Sequence, residues 1–82
     1  MKGIIQVSGK KLTTEFRAKI FLVCKSVCPS CRIIQTSRKF MHICCKELPD
    51  IETLKKNLQT HVKLTVSVKT EPFANVIFVQ IL

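Results

Sequence analysis

The sequence predicts a mixed α/β domain, a β-α-β-β core in which one long helix lies on a mixed sheet. Three observations carry that expectation. Glu15 to Cys24 begins with alternation and becomes continuously apolar, the pattern of a central strand buried on both faces. From Pro29 the apolar residues change to a helical spacing, and two β-prone runs close the chain across a short Pro-containing turn.

Met1 to Thr14 carries a short apolar patch, Ile4, Ile5 and Val7, followed by Ser8-Gly9-Lys10-Lys11. It reads as a basic N-terminal arm or an edge strand. Phe16, Ala18 and Ile20 then alternate with Arg17 and Lys19 before the run Phe21 to Cys24, and the strand is expected to end near Lys25-Ser26.

Lys19 to Arg32, KIFLVCKSVCPSCR, is the most conspicuous stretch, because an apolar strand there meets a Cys-Pro-Ser-Cys turn that could open a helix. Ile33, Ser37, Phe40, Met41, Cys44, Cys45 and Leu48 fall on one helical stripe, and Pro29 suits a first turn. A helix to about Lys46 is the preferred reading. The competing one ends it near Lys39 and makes Met41 to Cys45 a strand.

Pro49 breaks either element. Asp50 is a good N-cap for a short helix with Ile51, Leu54 and Leu58 inward. From His61 to Lys69, Val62, Leu64, Val66 and Val68 alternate with Lys63, Thr65, Ser67 and Lys69, the period of a strand. Thr70-Glu71-Pro72-Phe73 supplies a turn into a last strand, Asn75 to Leu82. So short a loop predicts an antiparallel hairpin.

Eighty-two residues make one domain, 1–82. A chain of this size buries only about 60–65% of its unfolded surface. Five cysteines are an odd number, which argues against a secreted disulfide framework. No signal peptide precedes the first strand and no apolar run is long enough for a membrane span, so a protein of a reducing compartment without membrane attachment is expected.

The net charge of +9 is unevenly placed. Up to Lys46 the chain carries Lys2, Lys10, Lys11, Arg17, Lys19, Lys25, Arg32, Arg38, Lys39 and Lys46 against the single acid Glu15; from Glu47 onward bases and acids cancel. Such asymmetry points to a polyanion such as RNA, with a merely solvated lysine-rich surface as the alternative. Lys10, Lys11, Arg17, Arg32, Arg38 and Lys39 are the candidate phosphate contacts.

The cysteines admit three readings. Cys28 and Cys31 could be a redox pair, with Cys28 the thiolate at a helix N-terminus and Cys31 the resolving thiol. Cys28, Cys31, Cys44 and Cys45, with His42 nearby in sequence, could hold zinc, although adjacent Cys44 and Cys45 would diverge. Or the thiols are small buried hydrophobes, the commonest role of free cysteine. His42 and His61 have no triad spacing, and there is no phosphate-binding glycine loop. No catalytic residue and no cofactor is expected.

Lys25-Ser26-Val27-Cys28-Pro29-Ser30-Cys31 resembles the Lys-x-x-Cys-Pro-x-Cys site of glutaredoxins, and Thr70-Glu71-Pro72 resembles their Thr-Val-Pro. That resemblance would imply a thiol-disulfide oxidoreductase. The glutathione-binding Gly-Gly has no counterpart, since the only glycines are Gly3 and Gly9.

A broader resemblance spans Arg17 to Val79. Arg17 to Cys24, Arg38-Lys39-Phe40-Met41, Leu54-Lys55-Lys56-Asn57 and Glu71-Pro72-Phe73-Ala74-Asn75-Val76-Ile77-Phe78 are similar to motifs of small thioredoxin-like accessory proteins of mitochondrial assemblies. These are large-subunit and small-subunit proteins of the mitochondrial ribosome and a related accessory subunit of respiratory complex I, the large-subunit type being the one expected here. The resemblance implies a truncated thioredoxin-like domain lacking the family's C-terminal helix. It also implies a noncatalytic, mitochondrial, RNA-binding subunit of a large complex, with rRNA and other ribosomal proteins as neighbours.

Overall fold

The computed structural model describes residues 3–62, 66–71 and 75–81. The chain is mixed α/β, as expected, and its open mixed sheet with two helices is compatible with a thioredoxin-like α/β fold. The elements are β1 (Gly3–Ser8), α1 (Thr14–Val27), β2 (Arg32–Thr36), β3 (Phe40–Cys45), α2 (Ile51–Val62), β4 (Val66–Glu71) and β5 (Val76–Ile81). The sheet order is β2-β3-β1-β5-β4; β1 and β5 are parallel and every other neighbouring pair is antiparallel.

β1 therefore sits in the middle of the sheet, not at an edge or in an arm. Its alternation explains the place: Ile5 and Val7 are wholly buried, and Ile5 lies in register with Ile43 on one side and Ile77 on the other. Gly3 enters this strand so tightly that a Cβ there would run into the Leu48 side chain and come within 2.6 Å of the Asn75 carbonyl oxygen.

The stretch expected as the central strand, Glu15 to Cys24, is instead the helix α1. Thr13 caps it, its hydroxyl accepting the Phe16 N–H at 3.2 Å. Ile20, Val23, Cys24 and Cys28 are buried and Phe16 packs against them, a spacing that winds one stripe around a helix. The apolar run disguised this stripe, because Leu22 within it is 66% exposed.

The expected long helix from Pro29 to Lys46 is a β-hairpin. Read with a period of two, Met41, Ile43 and Cys45 are buried while Phe40, His42 and Cys44 are only partly so. The Ser37 hydroxyl accepts the Lys39 and Phe40 N–H groups and so closes the turn from β2. The competing strand over Met41 to Cys45 is thus the one that forms. β-Branched and aromatic residues in these two runs favour the pleat over the coincidental helical spacing.

α2 starts as expected, with Asp50 Oδ2 accepting the Thr53 N–H at 3.1 Å and Leu54 and Leu58 fully buried. It continues to Val62, so His61 and Val62 of the expected strand are helical; Lys63, Leu64 and Thr65 lie outside the described residues, and β4 carries the rest of that strand from Val66. β4 and β5 do pair as an antiparallel hairpin, Val66 opposite Ile81 and Glu71 opposite Val76. Pro72 and Phe73 of the expected turn, and Leu82 of the expected last strand, lie outside the described residues. Asn75, with φ of 50°, brings the chain into β5, a left-handed conformation that asparagine tolerates.

α1 and α2 contact each other and share one core with the inward residues of β1, β3 and β5. The opposite face of those strands carries Ile4, Gln6, Ser8, Phe40, His42, Cys44, Val76, Phe78 and Gln80, all partly or well exposed. Neither helix covers it.

Candidate nucleic-acid interface

The fold gathers the basic residues by bringing two loops together at one end of the sheet. The Gly9 N–H donates to the Lys39 carbonyl at 3.0 Å, and the Leu12 N–H to the Arg38 carbonyl. The segment from β1 to α1 thus runs along the β2–β3 turn. Lys10, Lys11, Arg38 and Lys39 come side by side, all exposed.

Arg17 completes the corner from the first turns of α1. Its Nη1 donates to Thr36 Oγ1 at 2.9 Å, Nη2 to Thr14 Oγ1 at 3.2 Å and Nε to the Thr13 carbonyl at 3.4 Å. The guanidinium is held by neutral oxygens, so its positive charge is fixed in place without being cancelled. Pinning an arginine beforehand lowers the ordering cost of any later anion contact.

Lys11, Arg17 and Arg38, with Leu12, Thr13 and Thr14, line a cleft of about 370 Å³ that no carboxylate lines. A second cleft, of about 650 Å³, opens beside it between Lys10, Lys11, Phe16 and the Gln80-Ile81 end of β5. Arg32 is elsewhere. It opens β2 opposite Cys44, whereas Thr36, which bonds Arg17, lies opposite Met41 at the other end of that strand.

The cysteines occupy the other end of α1. Cys28 is the residue after its last turn, its N–H donating to the Cys24 carbonyl at 2.8 Å. The Cys-Pro-Ser-Cys turn therefore ends a helix and leads into a strand. The partial charge at a helix C-terminus is negative and disfavours a thiolate, the reverse of the arrangement the redox reading assumed. Cys28 and Cys31 are both buried, at 5% and 1% exposure.

Burial raises the Cys28 thiol, but hydrogen bonds from the Ser30 side chain and Cys45, with main-chain bonds at Glu47 and Ser30, bring it below its ordinary value. Burial pushes the Cys24 thiol up to about 12, helped by Cys31 and Cys28. Cys31 and Cys45 are likewise raised by burial. Four thiols thus pack together at the end of α1, mostly as neutral core groups.

Cys44 is not among them. Strand alternation sends it to the uncovered face while Cys45 faces the core, so the set Cys28, Cys31, Cys44 and Cys45 is not assembled. Among the described residues no three Cys, His, Asp or Glu side chains are placed to hold a metal ion.

The sequence did not point to Thr13, Thr14 and Thr36 as the groups that orient Arg17, nor to the uncovered face bearing Phe40, His42 and Phe78. A Thr-x-x-Phe cap and the period-two reading of Phe40 to Cys45 were the available signals. Comparison with protein-family models, with curated proteins and with solved structures gave no match.

Proposed function

We propose that this chain is a noncatalytic, RNA-contacting subunit of a ribonucleoprotein particle, most specifically of the large subunit of the mitochondrial ribosome. The observation that carries the RNA reading is the basic corner: Lys10, Lys11, Arg17 and Arg38 line clefts that no acid lines, and Lys39 adjoins them through its bond to Gly9. Cations placed like this bind backbone phosphates, which supplies affinity and position with little base readout. Arg32 would meet a separate stretch of backbone. The assignment to a mitochondrial ribosome rests on the motif resemblance from Arg17 to Val79, and the complex I accessory role is the other outcome of that resemblance.

The test is sedimentation of the tagged chain from lysed cells through a gradient, with its particle identified by RNA content. Migration with the large ribosomal subunit, lost on ribonuclease treatment, is the expected result. Migration with an RNA-free membrane complex, or as a free monomer with no salt-dependent RNA binding, would overturn it.

A further inference from the structure

We infer that the uncovered face of the sheet is a stacking platform for the bases of single-stranded RNA, whose backbone the basic corner holds. The inference rests on the RNA reading above and adds to it where the bases go.

The strand register builds the platform. On the uncovered face one row runs Gln35 on β2, His42 on β3, Gln6 on β1 and Phe78 on β5. The next row, nearer the basic corner, runs Phe40, Ser8 and Gln80. Phe40 and His42 lie against each other with ring centroids 5.0 Å apart and planes inclined at 39°. Phe78, 37% exposed, stands two strands away from His42, a separation of about 10 Å at ordinary strand spacing.

The face thus offers two aromatic seats with the Gln6 amide between them. Unstacked bases pair their π-faces with such rings, and neighbouring amides and hydroxyls can bond their exposed edges. A duplex hides those faces, so this chemistry selects single strands.

Charge decides the occupant. The rows of rings end at the corner where Lys10, Arg38 and Lys39 stand, and Arg32, opposite Cys44, lies on the same face at its far side. Among the described side chains of this face there is no carboxylate. In register, β4 sets Lys69 opposite Phe78, and Glu71 opposite Val76 at the end away from the corner. A surface of isolated rings, amides and cations with that polarity is complementary to an unpaired polyanion. The aliphatic side chains of Ile4 and Val76 lie at the Cys44 end of the face, away from the rings.

The test uses the whole chain and labelled oligoribonucleotides, a mixed-sequence single strand and a duplex of equal length, read by fluorescence anisotropy. Phe78→Ala and Phe40→Ala should each weaken single-strand binding by roughly 5- to 150-fold, the usual worth of one stacked base, and leave the salt slope unchanged. Phe78→Leu, which keeps an apolar side chain at an exposed position, should lose most of the same affinity and fold normally by circular dichroism.

Single-strand binding that is tight and salt-dependent but indifferent to all three variants, or equal to duplex binding, would overturn the platform and leave the phosphate corner standing. Loss of affinity only for another protein, with RNA binding intact, would make the face a protein-docking surface and refute it as well. Failure of the wild-type chain to bind either RNA would remove both readings.

Discussion

Replacing Ile43 and, separately, Cys44 by alanine asks which residues of β3 face the core. Ile43 is wholly buried, with Ile5 and Ile33 opposite it on the flanking strands. Ile43→Ala removes three carbons, worth about 2.4 kcal/mol at 0.8 kcal/mol each. The cavity left in a close-packed interior takes the cost to roughly 2–5 kcal/mol.

A domain of this length has only about 4–12 kcal/mol of stability in all. The variant should therefore melt roughly 10 °C or more below the wild type and reach its urea midpoint about 2 M earlier. Cys44 lies partly buried on the uncovered face, and Cys44→Ala should shift stability by less than about 0.5 kcal/mol. Far-UV circular dichroism follows both transitions in a chain without tryptophan or tyrosine. Had the helical stripe of Phe40, Met41, Cys44 and Cys45 been the true one, Cys44→Ala would be the damaging change and Ile43→Ala the mild one. That result would refute the strand.

Gly3→Ala should cost about 1–3 kcal/mol in a urea titration, because its Cβ meets Leu48 and the Asn75 carbonyl; a neutral variant would mean that β1 does not approach them. The native state holds the Cys24 proton up to about pH 12 whereas an ordinary thiol loses it near 9.0. Between those limits the folded state binds the extra proton, so stability should be complete below about pH 9 and fall above it, by up to roughly 1.4 kcal/mol per pH unit from this thiol. Comparing urea midpoints at pH 8 and pH 10 for the wild type and Cys24→Ala checks it, and identical drops in the two would contradict the buried thiol.

The class of the fold was legible because every apolar run is amphipathic or β-prone, and the final hairpin because Asn75 to Leu82 has no competing period. Asp50 announced α2 by its own chemistry. The first half misled for a physical reason. In Phe16 to Cys28 the apolar residues exceed the one stripe a helix needs, since Leu22 faces solvent, so the run looked like a strand buried on both faces. In Ile33 to Leu48 Met41 and Cys45 satisfy both periods, so that Ile43 and Cys44 alone distinguish them, and the β-branched content and the Ser37 turn decide for strands.

The basic corner was half legible. Composition singled out the right cations, but their convergence depends on main-chain bonds from Gly9 to Lys39 and from Leu12 to Arg38 in the β2–β3 turn, contacts between residues distant in sequence that leave no local trace. Arg32 shares the charge bias and not the location. The Cys-Pro-Ser-Cys turn was conspicuous in sequence and proved to end α1, which reverses the helix dipole on which its redox reading depended.

Salt titration of RNA binding by two charge-matched variants tests the central claim most directly. One variant is Lys11→Ala, Arg17→Ala and Arg38→Ala at the corner; the other is Lys19→Ala, Lys46→Ala and Lys56→Ala, three exposed lysines outside the two basic clefts. Each phosphate contact contributes about 0.7 to the slope of log affinity against log salt for a single strand. The corner variant should lose about 2 from that slope and most of its affinity at physiological salt, while the control variant changes little. Equal loss in both would mean that net charge alone attracts the RNA and that the corner is not a site.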